Sequence, residues 1–141
     1  MKKTRLFSIL FSTFILLGIL GMPVQAANTQ DTYFIFNLSG DSWNYTEGRA
    51  KENTTTVYVD LYDAPITYVY AQTQGYRVSW YNDTGSVSKV ILELDVPSSI
   101  HNWIYERGSR AARLAIQQYT IDGYSSGAWS PDSTRLYHEV N

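Results

Sequence analysis

Cysteine is absent from the 141-residue sequence, histidine occurs twice, and charged residues make up only 17% of it. Without cysteine there is no disulfide framework, no zinc ribbon built from the chain's own thiolates and no thiol redox site. Basic residues are also few. Eleven Lys and Arg face thirteen Asp and Glu, a formal net charge of −2, whereas a nucleic-acid binder draws its affinity from neutralising phosphates. The length holds one domain, at roughly 100–200 residues each, which excludes a two-domain kinase or dehydrogenase. No internal repeat or low-complexity tract is present.

The first residues have a different character from the rest. Lys2, Lys3 and Arg5 precede an apolar run over 6–20, a Gly21-Met22-Pro23 breaker, and the small residues Ala26 and Ala27. That is the order of a cleavable secretory signal, so residues 1–26 are expected to be removed and 27–141 to form the domain. The run is short of the roughly 20 apolar residues that a spanning helix needs. No cysteine stands near the cleavage site to carry a lipid, and no second apolar stretch follows. A secreted, soluble product is expected. Processing leaves eight basic residues against thirteen acidic ones, a net charge of −5, and no methionine. Such a chain is repelled by anionic lipid and by polyanionic polymers.

From Ala27 onward, 44 of 115 residues are Val, Ile, Thr, Tyr, Phe or Trp, the types that pack well on pleated surfaces. Period-two alternation places them in strands. Phe34, Phe36 and Leu38 share one face against Tyr33, Ile35 and Asn37. Val57, Val59 and Leu61 oppose Tyr58, Asp60 and Tyr62. Further strands are expected over 66–72, 76–81, 90–96, 112–120 (Ala112, Leu114 and Ile116 inward) and 135–140 (Leu136, His138 and Val140 on one face). Polar breaks fall at 39–42, Gln74-Gly75, 82–86, Gly108-Ser109 and Asp122-Gly123. The spacing of Ile100, Trp103 and Ile104 allows one helical turn ended by Gly108, and residues 40–53 are expected as a long loop. The pattern predicts an all-β domain, a single antiparallel sandwich or partly open barrel of about seven strands.

The ending Ser126-Gly127-Ala128-Trp129-Ser130-Pro131-Asp132-Ser133, the Tyr105-Glu106-Arg107-Gly108 turn and the Ala112-Arg113-Leu114 strand resemble a family of small secreted proteins from Gram-positive bacteria whose function is unknown. The resemblance covers most of the processed chain and rests on structural motifs. It implies export and, more loosely, a role in interaction or antagonism between bacteria, and it brings no catalytic residues.

Three strings match catalytic signatures. Asp83-Thr84-Gly85-Ser86 spells the aspartic-protease tetrapeptide, whose chemistry needs two carboxylates sharing one proton, so a chain this short would have to dimerise. Tyr81-Asn82 stand where those enzymes carry apolar residues, and Asn-Asp-x-Gly between strands is hairpin-loop chemistry. A loop is expected there. Gly123-Tyr124-Ser125-Ser126-Gly127, followed by Asp132 and His138, spells a nucleophile elbow, but that elbow needs a helix after the Ser, which Gly127 and Pro131 deny; a turn is expected. Ser86 and Lys89 match a Ser-x-x-Lys acylase string that works on a helix, whereas here it enters a strand. His101 and His138 are expected at the surface. Glu93 with Asp95, and Asp60 with Asp63, read as solvated acids without a calcium-loop pattern. No catalytic residue, metal or cofactor is expected.

Aromatic content is the one compositional surplus, with twelve tyrosines and four tryptophans. Exposed Tyr and Trp on rigid strands add contact area at little rotamer cost. Tyr58 and Tyr62, on the polar side of their strand, together with Trp43, Trp103 and Trp129, are the candidate binding residues. The function expected is a non-enzymatic secreted binding module for an extracellular protein or cell-wall saccharide. A bacteriocin-like antagonist, or the accessory protein of such a system, is one alternative; a small homodimeric aspartic-type hydrolase using Asp83 is another. Neither nucleic acid nor membrane is expected as a partner.

Overall fold

The computed structural model describes residues 27–141; the proposed leader, 1–26, lies outside the described residues. Eleven strands follow one another: Thr32–Leu38 (β1), Asn44–Tyr45 (β2), Arg49–Ala50 (β3), Val57–Asp63 (β4), Tyr68–Tyr76 (β5), Trp80–Asn82 (β6), Val90–Glu93 (β7), Ser98–Ile100 (β8), Ala111–Gln118 (β9), Gly123–Ser130 (β10) and His138–Val140 (β11). They build two sheets. Sheet A has the order β1-β10-β4-β8-β11. Sheet B has the order β2-β9-β5-β6, with β3 also on β9 and β7 also on β5. Pairing is antiparallel except between β8 and β11, which run parallel. Neither sheet closes into a barrel, and the described residues contain no helix. The fold is an all-β sandwich.

Alternation drives the layering. On β4 the odd positions Val57, Val59 and Leu61 are buried while Tyr58, Asp60 and Tyr62 are not. Phe34 and Leu38 of β1 join them from sheet A; Val69 and Ala71 of β5, Leu92 of β7, and Ala112, Leu114 and Ile116 of β9 meet them from sheet B. Each large side chain removed from water this way contributes roughly 1.5–3 kcal/mol.

Several expectations are corrected. The stretch 76–81 is not one strand: Tyr76 ends β5, Trp80 begins β6, and the two pair across a reversal at Arg77–Ser79. A tight hairpin keeps cross-strand partners on one face, so Tyr76 and Trp80 show the same parity either way. Gln74-Gly75 is no break but the interior of β5. A Cβ on Gly75 would lie 2.6 Å from the Asp83 carboxylate, so glycine is required for close approach. Residues 40–53 hold β2 and β3, each two residues long and too short to show a period. The predicted strand over 90–96 stops at Glu93 because Asp95 adopts a left-handed conformation, φ 59°.

At the C-terminal end only His138–Val140 is a strand, and Leu136, expected on one strand face with His138 and Val140, precedes it and is 67% exposed. Residues 123–127, read as a turn, open the central strand β10. Its Ser, Gly and Ala residues carry little strand signal, yet the Gly127 position abuts the Asp60 carbonyl and the Phe34 ring, where no side chain fits. The turn ended by Gly108 is present. Ser109 N–H donates to Ile104 O and Gly108 N–H to Tyr105 O, both at 3.0 Å, with Gly108 at φ 85°.

Candidate functional site

The outer face of sheet A carries an aromatic trough. Because Val57, Val59 and Leu61 point inward, Tyr58, Asp60 and Tyr62 of β4 point outward. The neighbouring β10 offers only small residues here. Ala128 pairs with Tyr33 of β1 on one side and with Asp60 of β4 on the other. Two strand spacings therefore separate Tyr33 from Asp60, about 10 Å, and the Ala128 methyl between them is itself covered, at 1% exposure. Tyr33 is 75% and Tyr62 46% exposed, and their ring centroids lie 6.2 Å apart. Further along, Tyr58 packs against Tyr137, centroids 4.7 Å apart. Asp31, Tyr58, Ser130 and Tyr137 border a recess of about 90 Å³.

Electrostatically the trough is acidic. Burial among the rings pushes the Asp60 carboxyl above its ordinary value, and the charges of Asp95 and Asp31 push it the same way; a 3.5 Å hydrogen bond from the Tyr58 hydroxyl opposes them. Burial, followed by the Asp60 charge, also raises the Tyr58 and Tyr62 phenols. Asp31 differs from Asp60 in lying within the field of Arg49.

Of the predicted binding residues, Tyr58 and Tyr62 come together in this trough. Trp43 lies half-buried in the segment before β2. Trp103 is 38% exposed in the turn after β8, donating its indole N–H to Gly85 O at 3.1 Å and meeting His101 edge-on. Trp129 is corrected: it is 1% exposed and belongs to the core, so it offers nothing to a ligand. Sequence reasoning missed Tyr33 and Asp60 as partners of Tyr58 and Tyr62. Alternation had set Tyr33 on the outward side of its strand, but only the order β1-β10-β4 places it opposite Asp60.

The residues of the catalytic strings are pinned or dispersed. Asp83 opens the loop between β6 and β7, and its side chain is buried. Its carboxylate is 0% exposed and accepts from Arg77 Nη1 at 2.7 Å and Arg107 Nη1 at 2.9 Å. Its backbone N–H donates to Thr73 O, while its carbonyl accepts from Trp103 N–H. The carboxylate in turn holds the Arg77 guanidinium above its ordinary value. A carboxylate that is fully buried and held by two guanidinium groups is not presented to a second copy with which it could share a proton. Ser125 is buried on β10, Asp132 lies seven residues further, on the order of 20 Å along extended chain, and His138 is exposed. No triad forms from them. Lys89 extends over the Tyr70 ring, 3.4 Å from its centroid, not toward Ser86.

Two other surfaces lie apart from the trough. A cleft of about 460 Å³ opens between the β1 edge and β2–β3, with Phe34, Phe36 and Trp129 behind and Glu47 and Arg49 at its rim. On sheet B, Arg113 lies over Tyr45 at 3.9 Å and over Trp80 at 4.5 Å while bonding Gln74 at 2.8 Å. That second cluster is self-satisfied.

Fold and site together define a two-sheet β-sandwich with an aromatic, acidic trough on one face. Residues 22–133 match the family described as protein of unknown function DUF2712, and the chain belongs to that family. No curated protein and no solved structure matches it.

Proposed function

We propose that this chain is an exported binding module from a Gram-positive bacterium, acting by surface contact without catalysis, with the trough on sheet A as its contact face. Its target is an extracellular protein or a cell-wall saccharide. The observation that carries this reading is that Tyr33 of β1 and Tyr58 and Tyr62 of β4, on either side of β10, face outward around Asp60 although the core is already filled from both sheets. Aromatic rings on strands present area with few rotors to freeze, so contact costs little ordering entropy.

The test is binding of the secreted protein to separated wall-saccharide and surface-protein fractions. Replacing Tyr33 and Tyr62 together by Ala should abolish retention on one fraction, while Trp103→Ala should leave it unchanged. Equal retention of both variants would overturn the assignment of the face.

A further inference from the structure

We propose that the trough around Asp60 is a cation site that docks a lysine-bearing segment of a partner protein; this rests on the sheet A face being the contact surface. Asp60 has the Tyr58 hydroxyl at 3.5 Å and the like charges of Asp31 and Asp95 as its polar influences. Among the described residues none of the ion pairs reaches it. Among the described residues no basic side chain is kept in reserve for that role. Arg49, Arg77, Lys89, Arg110, Arg113 and Arg135 lie over aromatic rings. Lys51 and Arg107 pair with Asp132 and Asp83.

Cations over rings, at 3.4–5.6 Å from the centroid, are how this molecule places most of its positive charge. At the end of the trough Tyr137 packs on Tyr58 and already carries the Arg135 guanidinium, 4.6 Å from its centroid. The rings of Tyr33, Tyr58 and Tyr62 carry none among the described residues, although their faces attract a cation by the same quadrupole.

One Asp60 oxygen, Oδ2, is engaged by Tyr58, so what remains suits a point-like ammonium better than the two-toothed grip of a guanidinium. Tyr33 and Tyr62, 75% and 46% exposed, offer outward ring surface along which a methylene stem can lie. From Ala27 onward, eight basic residues against thirteen acidic ones favour approach of a basic protein and oppose that of a polyanionic polymer.

The experiment titrates a lysine homopeptide into the secreted protein by calorimetry, with the tyrosine ring resonances followed by NMR. The wild type should bind with shifts at Tyr58 and Tyr62. Asp60→Asn should weaken binding about tenfold or more, and Glu93→Gln, which removes one acid from sheet B, should change it less than about twofold. Equal weakening by the two variants, unmoved tyrosine resonances, or displacement of the peptide by a wall saccharide would each overturn the proposal. If Asp60→Asn leaves retention on the wall or surface-protein fraction intact while the Tyr33/Tyr62 double variant abolishes it, the cation inference fails and the contact-face reading stands.

Discussion

Lys51 and Asp132, 81 positions apart, meet at 2.8 Å with neither side chain exposed to solvent. The ammonium spends its other two protons on Thr55 O at 2.6 Å and Pro131 O at 2.7 Å. The second carboxylate oxygen accepts from the backbone N–H of Asn28 and of Glu52. One node thus ties the start of the described chain, the stretch before β4 and the stretch after β10. Burial lowers the Lys51 pKa, with Asp132 opposing it. Lys51→Met leaves a buried carboxylate without its cation and should cost about 3–5 kcal/mol, read as a lower urea midpoint; an unchanged midpoint would show the node to be dispensable.

Asp83 forms a second node, but its arginines are open to water at 28% and 52% side-chain exposure. Removing the carboxylate therefore strands no buried cation. Asp83→Ala should destabilise less than Lys51→Met, by about 1–3 kcal/mol, through lost hydrogen bonds and a small void beside Gly75. Paired denaturation curves check the ranking, which a fully exposed hairpin would not produce.

The tryptophans should separate sharply. Trp129, at 1% exposure, closes the core, and Trp129→Ala should cost about 3–5 kcal/mol. Trp103, at 38%, loses one hydrogen bond and a ring contact when truncated. Its melting temperature should fall only slightly.

Asp60 gives a pH signature. Its raised pKa means that the folded protein binds this proton more tightly than the unfolded chain. Stability from this group is therefore greatest below the unfolded aspartate value of about 3.9, and it falls as pH rises toward the folded value. Asp60→Asn abolishes that loss. The variant should melt above wild type at neutral pH, and the difference should shrink when both are measured near about pH 3; a difference that persists there would assign it to packing.

How far the site could be read beforehand differs by residue. Tyr58 and Tyr62 were legible because β4 alternates cleanly, and alternation alone sets which side of a strand faces water. Trp129 was misread because it belongs to β10, whose Ser, Gly and Ala residues hide its strand character. Gly127 explains the composition. It is there for the close pass of Asp60 and Phe34, a demand made by neighbours and not by local propensity. Tyr33 was set on the correct side of its strand, but nothing local could name its neighbour.

Side-chain period is a local property, so the amino-acid order by itself determined the all-β class, the inward faces of β1, β4 and β9, and the outward tyrosines. Strand order, the parallel β8–β11 pair, the burial of Asp83, Asp132 and Lys51, and the meeting of Tyr33 with Asp60 across Ala128 were decided only by the tertiary structure. Each depends on which distant segment lies alongside. That choice is made by shape fit and charge pairing across the whole chain, to which a two-residue period carries no information.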